Sequence, residues 1–248
     1  MSYICKGGDS VGVRPKKLAD KYNMSANTLR NYEAKGLLPP AERSANGYRL
    51  YTERHEAYLA CLQAMAPAFG MEATTEVLLC LHRKELDDAL WIVREREVLL
   101  HREKERLAQL IREWKAYAEG SQPYDGNQRF RIHEVSRQTG VPKSAIRHWE
   151  KSGLFSTERD PDNGYRLYKE PHLFKIRMLQ VLQGAVYSEE TVTLKQSIAQ
   201  VNIQNFEQAM NVAERIQEYL HTRIGLQMRG IYFLYRLLQD LGLSEASE

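Results

Sequence analysis

NGYRLY stands at residues 46–51 and again, letter for letter, at residues 163–168. Asn-Gly is the strongest two-residue hairpin signal, because a type I′ turn needs positive φ at both central positions, and the residues around it are strand-like. Each copy therefore reads as the tip and return strand of a β-hairpin. Working outward, Val13 set over Phe130 gives an offset of 117 that runs without a gap to Leu62 and Leu179. Arg14 falls on Arg131, Arg30 on Arg147, Glu33 on Glu150, Gly36 on Gly153, Leu37 on Leu154 and His55 on His172. The chain holds two copies of one module.

Each copy repeats the same order of elements. In the first, residues 16–22 read as a short helix with Leu18 and Ala19 inward, Asn-Met-Ser as a turn, and residues 26–34 as a second helix N-capped by Ser25 and ended by Gly36. In the second, residues 132–138 form the first helix, Gly140 lies in the turn, Pro142 sits where a helix start tolerates it, and Gly153 ends the second helix. Two short helices joined by a turn make a helix-turn-helix, and the hairpin behind them makes a wing.

Charge divides along the chain in the same way. The whole carries a formal +3, but residues 13–65 hold nine Lys/Arg against five Asp/Glu and residues 130–182 hold ten against six, so each module carries +4 and the remainder 3 − 8 = −5. Two basic modules set in more acidic material fit an anionic partner. The balance of 43% hydrophobic and 27% charged residues is globular, and no apolar run is long enough to span a membrane. The start, MSYICKGGDS, lacks the apolar core of a signal peptide, so the expected location is the cytoplasm, at the nucleoid. Cys5, Cys61 and Cys80 are too widely spaced for a zinc site and odd in number for a disulfide framework; Cys61 and Cys80 read as small core residues. No phosphate-binding glycine loop, nucleophile elbow or metal-ligand cluster is present, His133 and His148 stand apart from any catalytic partner, and the expectation is a non-enzyme without cofactor.

TLRNYEAKGLLPPAERSANGYRLY, preceded by KKLADKYNMS, closely resembles the N-terminal winged helix of MerR-type transcription regulators, and AIRHWEKSGLFSTERDPDNGYRLY, preceded by IHEVSRQTGVP, resembles it too. The resemblance implies a tandem pair of DNA-binding modules. In the first, the expected DNA-contacting residues are Arg14, Lys16 and Lys17 near the first helix, Thr28, Arg30, Asn31 and Tyr32 on the second, and Arg43, Tyr48 and Arg49 in the wing. In the second they are Arg131, then Lys143, Ser144, Arg147, His148 and Trp149, and in the wing Arg159, Tyr165 and Arg166. Tyr32 and Tyr48, with Trp149 and Tyr165, stand where the family places aromatic phosphate contacts, although a tryptophan offers no hydroxyl. The alternative reading makes Tyr32, Trp149, Tyr51 and Tyr168 core aromatics. Asn31 against His148 implies that the copies read unlike half-sites.

A 4-3 spacing runs through Leu86, Leu90, Val93, Leu100, Leu107, Ile111 and Trp114, with Glu97 and Lys104 as polar interruptions that could set register. A second such run holds Ala209, Ala213, Ile216 and Leu220, then after a stutter Ile224, Ile231, Leu234, Leu238 and Leu241, with a bend expected near Gly225 or Gly230. Two long helices are expected. The fold class is mainly α with small β-hairpin wings: two winged helix-turn-helix modules, each followed by a long helix, the helices packing as an antiparallel coiled coil. The division is a disordered N-terminus at 1–12, module one at 13–80, long helix one at 81–118, a linker at 119–128, module two at 129–200 and long helix two at 205–242.

Family members normally pair between chains through that helix; here both partners lie on one chain, so a monomer is expected to act as a pseudo-dimer, with a homodimer as the competing arrangement. The expected partner is double-stranded DNA at an imperfect palindromic promoter site, with no membrane; by resemblance RNA polymerase is a further partner, and promoter distortion between the polymerase elements is part of the action. No sensing region is visible and a small-molecule effector is unassigned. Tyr232, Phe233 and Tyr235 could line an aromatic pocket or pack as helix core. The competing function is an architectural or anchoring DNA-binding protein of chromosome organisation or segregation.

Overall fold

The computed structural model describes residues 12–120, 128–203 and 205–243. The expected disorder at 1–12, except residue 12, and most of the linker at 119–128 lie outside them. In chain order the elements are α1 (Pro15–Lys21), α2 (Ala26–Ala34), β1 (Glu42–Arg43), β2 (Arg49–Leu50), α3 (Glu53–Phe69), α4 (Met71–Arg83) and α5 (Leu86–Ala118). The series then repeats as α6 (Ile132–Thr139), α7 (Lys143–Lys151), β3 (Glu158–Arg159), β4 (Arg166–Leu167), α8 (Glu170–Val181), α9 (Glu189–Gln200) and α10 (Phe206–Asp240). The protein is mainly helical, with two small antiparallel hairpins. The expected division at 80–81 falls inside α4. None of the described helices is long and apolar enough to cross a membrane.

Local chemistry sets the ends. Ser25 Oγ accepts the Thr28 N–H at 3.0 Å and caps α2. Gly36 then turns left-handed at φ 70, and the Leu37 N–H returns to the Tyr32 carbonyl at 2.8 Å; Gly153 at φ 75, with Leu154 N–H on the Trp149 carbonyl at 3.0 Å, does the same for α7.

The chain divides into two compact units, residues 1–96 with 225–248 and residues 97–224. In the first, Ala89 and Val93 of α5 share a core with Leu234, Leu237 and Leu238 of α10 and with α1–α4. Gly230 is required there, since a Cβ on it would stand 2.8 Å from the Phe69 ring. In the second, Leu100, Leu107, Leu110 and Trp114 of α5 share a core with Ala209, Ala213, Ile216 and Leu220 of α10. Trp114 lies 4.2 Å from Phe174, ring to ring, and Tyr117 donates to Glu170 at 2.5 Å, fixing α8 to the end of α5.

The buried stripes correct two expectations. On α5 the line through Val93, Leu100, Leu107 and Trp114 is buried, but it is completed by Ala89, Glu103 and Leu110, while Leu90 is 41% exposed and Lys104 is exposed. An apolar count cannot tell which neighbouring line completes a heptad, and here the buried line includes an acid. On α10 there is no stutter: the stripe continues in phase through Arg223, Gln227 and Gly230, and Ile224 is 46% exposed. Tyr232 and Tyr235 are about half exposed rather than packed as core.

Glu103 is a buried acid of the second unit. Its carboxylate accepts the Gly184 N–H, and Oε1 lies 2.6 Å from where a Gly184 Cβ would stand, so a side chain at 184 would have to displace the carboxylate. Burial pushes its pKa up to about 7, against the opposing charges of Arg223 and Arg106. Because the folded pKa exceeds the unfolded value near 4.5, the proton's stabilising contribution is complete below pH 4.5 and is lost as pH rises through 7. Glu103→Gln is therefore expected to gain on the wild type as pH rises, by on the order of 2 kcal/mol at pH 8. Melting curves at pH 5 and pH 8 check this; a wild-type/variant difference independent of pH contradicts it.

Candidate nucleic-acid interface

The wings form as expected, but with a different turn. In the first, Arg43 lies opposite Arg49, Ser44 N–H donates to the Tyr48 carbonyl at 2.8 Å, and Gly47 N–H closes back on Ser44 at 2.8 Å. Positive φ occurs at Gly47 and not at Asn46, so this is a three-residue loop with glycine in the left-handed position, not a type I′ turn. In the second, Arg159 lies opposite Arg166, Asp160 N–H meets the Tyr165 carbonyl at 2.8 Å, and four loop residues end on Gly164 at φ 69.

The gapless offset fails here. Arg159 matches Arg43 at an offset of 116, because the second copy has one residue fewer between Phe155 and its strand than the first has after Leu38, and one more in its loop. Compensating one-residue shifts cancel in an ungapped comparison. In each wing the strand arginine donates to the loop glycine's carbonyl: Arg43 to Gly47 and Arg159 to Gly164, both at 3.0 Å. That bond holds the tip in shape.

The segment before each first helix joins the wing as a third strand. Val13 exchanges backbone bonds with Tyr51 at 2.7 and 3.0 Å, and Phe130 with Tyr168 at 2.8 and 2.9 Å. Arg14 is thereby set 5.8 Å above the Tyr48 ring, and Arg131 5.3 Å above that of Tyr165. Tyr48 and Tyr165 are 62% and 66% exposed. A large aromatic held out on a hairpin tip under a cation does no packing work, and its placement suits a ligand with anionic and stacking surfaces.

Glu33 and Glu150 join second helix to wing. Glu33 Oε2 accepts from Arg49 Nε at 2.9 Å and from the Tyr51 hydroxyl at 3.3 Å, while Oε1 accepts the Ala41 N–H at 3.4 Å. Glu150 accepts from Arg166 Nε at 2.5 Å and from Thr157 Oγ1 at 2.6 Å. Arg49 and Arg166 thus spend one N–H on the fold and keep the rest of the guanidinium. Burial first, then Glu33, pushes the Tyr51 hydroxyl up to about 12; burial and Glu150 do the same to Tyr168. Both tyrosines are fully buried and structural. The charges of Arg30 and Arg147 reach these hydroxyls, which places each exposed arginine near the root of its wing.

On the second helices Arg30, Asn31, Arg147 and His148 are exposed, as are Lys16, Lys17, Lys143 and Ser144 on the first turns of α1 and α7. Thr28 is half-buried and shares a hydrogen bond with Ser25 at 2.8 Å. Tyr32 is half-buried against the core, and Trp149, only 8% exposed, lies within it. The sequence reading missed Glu33 and Glu150, although each is identical at the offset, because charge counting sees acids in a basic module only as a deficit. His55 and His172, also repeated, accept the Thr52 and Lys169 N–H on Nδ1 at 3.0 and 2.9 Å and begin α3 and α8; burial lowers both pKa values. They are caps, not ligands.

The family model described as MerR family regulatory protein matches residues 14–51 and, separately, residues 131–168. These matches begin at Arg14 and Arg131, one residue after the third strand, and end at Tyr51 and Tyr168, so each spans the two short helices and the wing. The chain carries two MerR-type domains in tandem. Among similar proteins is the HTH-type transcriptional regulator CueR of Salmonella typhimurium, 40% identical over 62 residues, 25% of this chain and 45% of that protein. Another is the HTH-type transcriptional regulator HmrR of Rhizobium leguminosarum, 41% identical over 59 residues, 24% of this chain and 45% of that one. A 62-residue stretch is also 32% identical to the type II methyltransferase M.Eco47II of Escherichia coli, over 15% of that enzyme. The chain therefore spans under half the length of these relatives, and the similarity concerns the MerR-type domain. No solved structure matches the chain.

Proposed function

We propose that this chain is a sequence-specific double-stranded DNA-binding transcription regulator of the MerR type, which binds one imperfect palindromic promoter site with the two non-identical modules of a single chain. One observation carries the reading: exposed arginine on the second helix and an exposed wing tyrosine under a second arginine occur twice, each inside a segment matching the MerR family. Arg30, Asn31, Arg147 and His148 lie on the helices that enter the groove, while Arg14, Tyr48, Arg131 and Tyr165 meet the backbone. Lys16, Lys17, Lys143, Ser144 and the remaining N–H groups of the wing arginines add phosphate contacts; Tyr32 and Trp149 support the helix from beneath.

The two long helices take the role that a dimer interface takes elsewhere. Support comes from each unit by itself: the start of α5 shares a core with the end of α10 in the first, and the end of α5 with the start of α10 in the second, the pattern of antiparallel pairing within one chain. Gln227 of α10, which donates to the Arg96 carbonyl of α5 at 3.5 Å, and the opposite charges of buried Glu103 and Arg223 support that register.

Fragments of genomic DNA selected by the purified protein test the proposal. The expected product is a short site with two related but unequal halves, protected as one footprint. Uniform coating of unrelated DNA contradicts the regulator and favours an architectural protein.

A further inference from the structure

The first loop residue of the wing differs between the two modules in a way that reaches the arginine above it. Ser44 and Asp160 are equivalent, each following the strand arginine and donating its N–H to the wing tyrosine's carbonyl. Ser44 Oγ accepts the Tyr48 N–H at 3.2 Å and makes no bond to Arg14. Asp160 instead takes Arg131: Oδ2 lies 2.8 Å from Arg131 Nη2, and Arg131 Nη1 donates to Asn163 Oδ1 at 3.3 Å. The loop holds the carboxylate for this purpose, with Asn163 Nδ2 on Oδ2 at 2.9 Å and the Asp162 N–H on Oδ1 at 3.1 Å. Led by the Asp162 N–H and aided by Asn163 and Arg131, these bonds keep the carboxyl below the ordinary aspartate range, so it is charged near neutral pH. Arg14 is exposed over Tyr48, and among the described residues no carboxylate or amide is bonded to it.

A guanidinium that stacks on an aromatic ring and presents its edge to an oxyanion is a phosphate-binding arrangement, and in the second module a carboxylate fills the oxyanion position. We infer that Asp160 is an internal stand-in for a DNA phosphate: it occupies Arg131 in the free protein, and the second module gains that contact only when a backbone phosphate displaces it. The inference rests on the DNA-binding reading above. Its consequence is an order of engagement, in which the first module, with Arg14 open, anchors the chain. The second module adds a backbone contact only where the site offers a phosphate well enough placed to displace Asp160. The asymmetry of the pair is then built into the wings as well as into Asn31 and His148.

Asp160→Asn keeps an acceptor for the Asp162 N–H while removing the charge. It is expected to tighten binding to a selected duplex by roughly three- to tenfold at about 0.1 M salt and to steepen the slope of log affinity against log salt by about 1, the signature of one added phosphate contact. In an Arg131→Ala background the steepening should vanish. Ser44→Asp should do the reverse in the first module, loosening binding and flattening the slope, and only while Arg14 is present. Asp160→Ser, which copies the first wing, covers the case in which asparagine disturbs the loop. An unchanged slope in both Asp160 variants, weaker binding by both, or a steepening that persists without Arg131 overturns the inference. Failure of the parent reading is distinguishable: the wild type would then bind no duplex, or Arg30→Ala would leave its binding unchanged.

Discussion

Replacing Arg30 and Arg147 together by alanine is expected to weaken specific duplex binding by about 10²- to 10⁴-fold, with each single change costing about 1–3 kcal/mol. Both side chains are exposed on the helix that follows the turn, and each lies near its wing root, where its charge acts on a buried tyrosine. They sit in different modules and share no partner, so the two losses should add. The singles separate two roles: loss of preference at one base pair marks a base contact, whereas a uniform loss with a slope flattened by about 1 marks a phosphate contact. Titration of the double variant against selected and unrelated duplexes checks this. Wild-type affinity in the double variant would remove both second helices from the interface.

Glu33→Ala and Glu150→Ala should lower DNA affinity although each removes a negative charge from a basic module. Electrostatics alone has the opposite sign, since deleting an acid strengthens attraction for phosphate. The structure makes Glu33 the junction of α2, β2 and the segment at Ala41, receiving Arg49, the fully buried Tyr51 hydroxyl and a backbone N–H. Its side chain is only 16% exposed, so truncation leaves a buried hydroxyl and a half-buried guanidinium without their acceptor, at a cost of about 2–4 kcal/mol. With that junction gone, the wing tip and Arg49 are no longer held against the helix. Denaturant unfolding and duplex titration together decide it: reduced stability with reduced affinity supports the junction, and tighter binding at unchanged stability contradicts it.

The modules were legible because two segments match residue for residue at helix ends and wing tips, where backbone geometry restricts the choice. Gly36 and Gly153 must turn left-handed, and Gly47 and Gly164 must close a loop. The turn type was misread because Asn-Gly serves both a two-residue loop and the end of a longer one; only the pairing of Arg43 with Arg49 and Arg159 with Arg166 tells them apart. The seams of the long helices were half legible. Val93, Leu100, Leu107 and Trp114 announce themselves, but the buried line also holds Glu103, Arg223 and Gln227, which meet the Gly184 N–H, the Tyr219 hydroxyl and the Arg96 carbonyl, partners that a count of apolar residues cannot see. Trp149 shows the same limit from the other side, since an aromatic in a recognition helix has one sequence signature whether it faces the ligand or the core.

The central claim is that one chain supplies both halves of the DNA-binding unit. The mass of the complex between the intact protein and a single selected duplex, measured by sedimentation or native mass spectrometry with protein in excess, tests it most directly. The account predicts one chain per duplex with both half-sites protected; two chains per duplex, each engaging a single half-site, would contradict it.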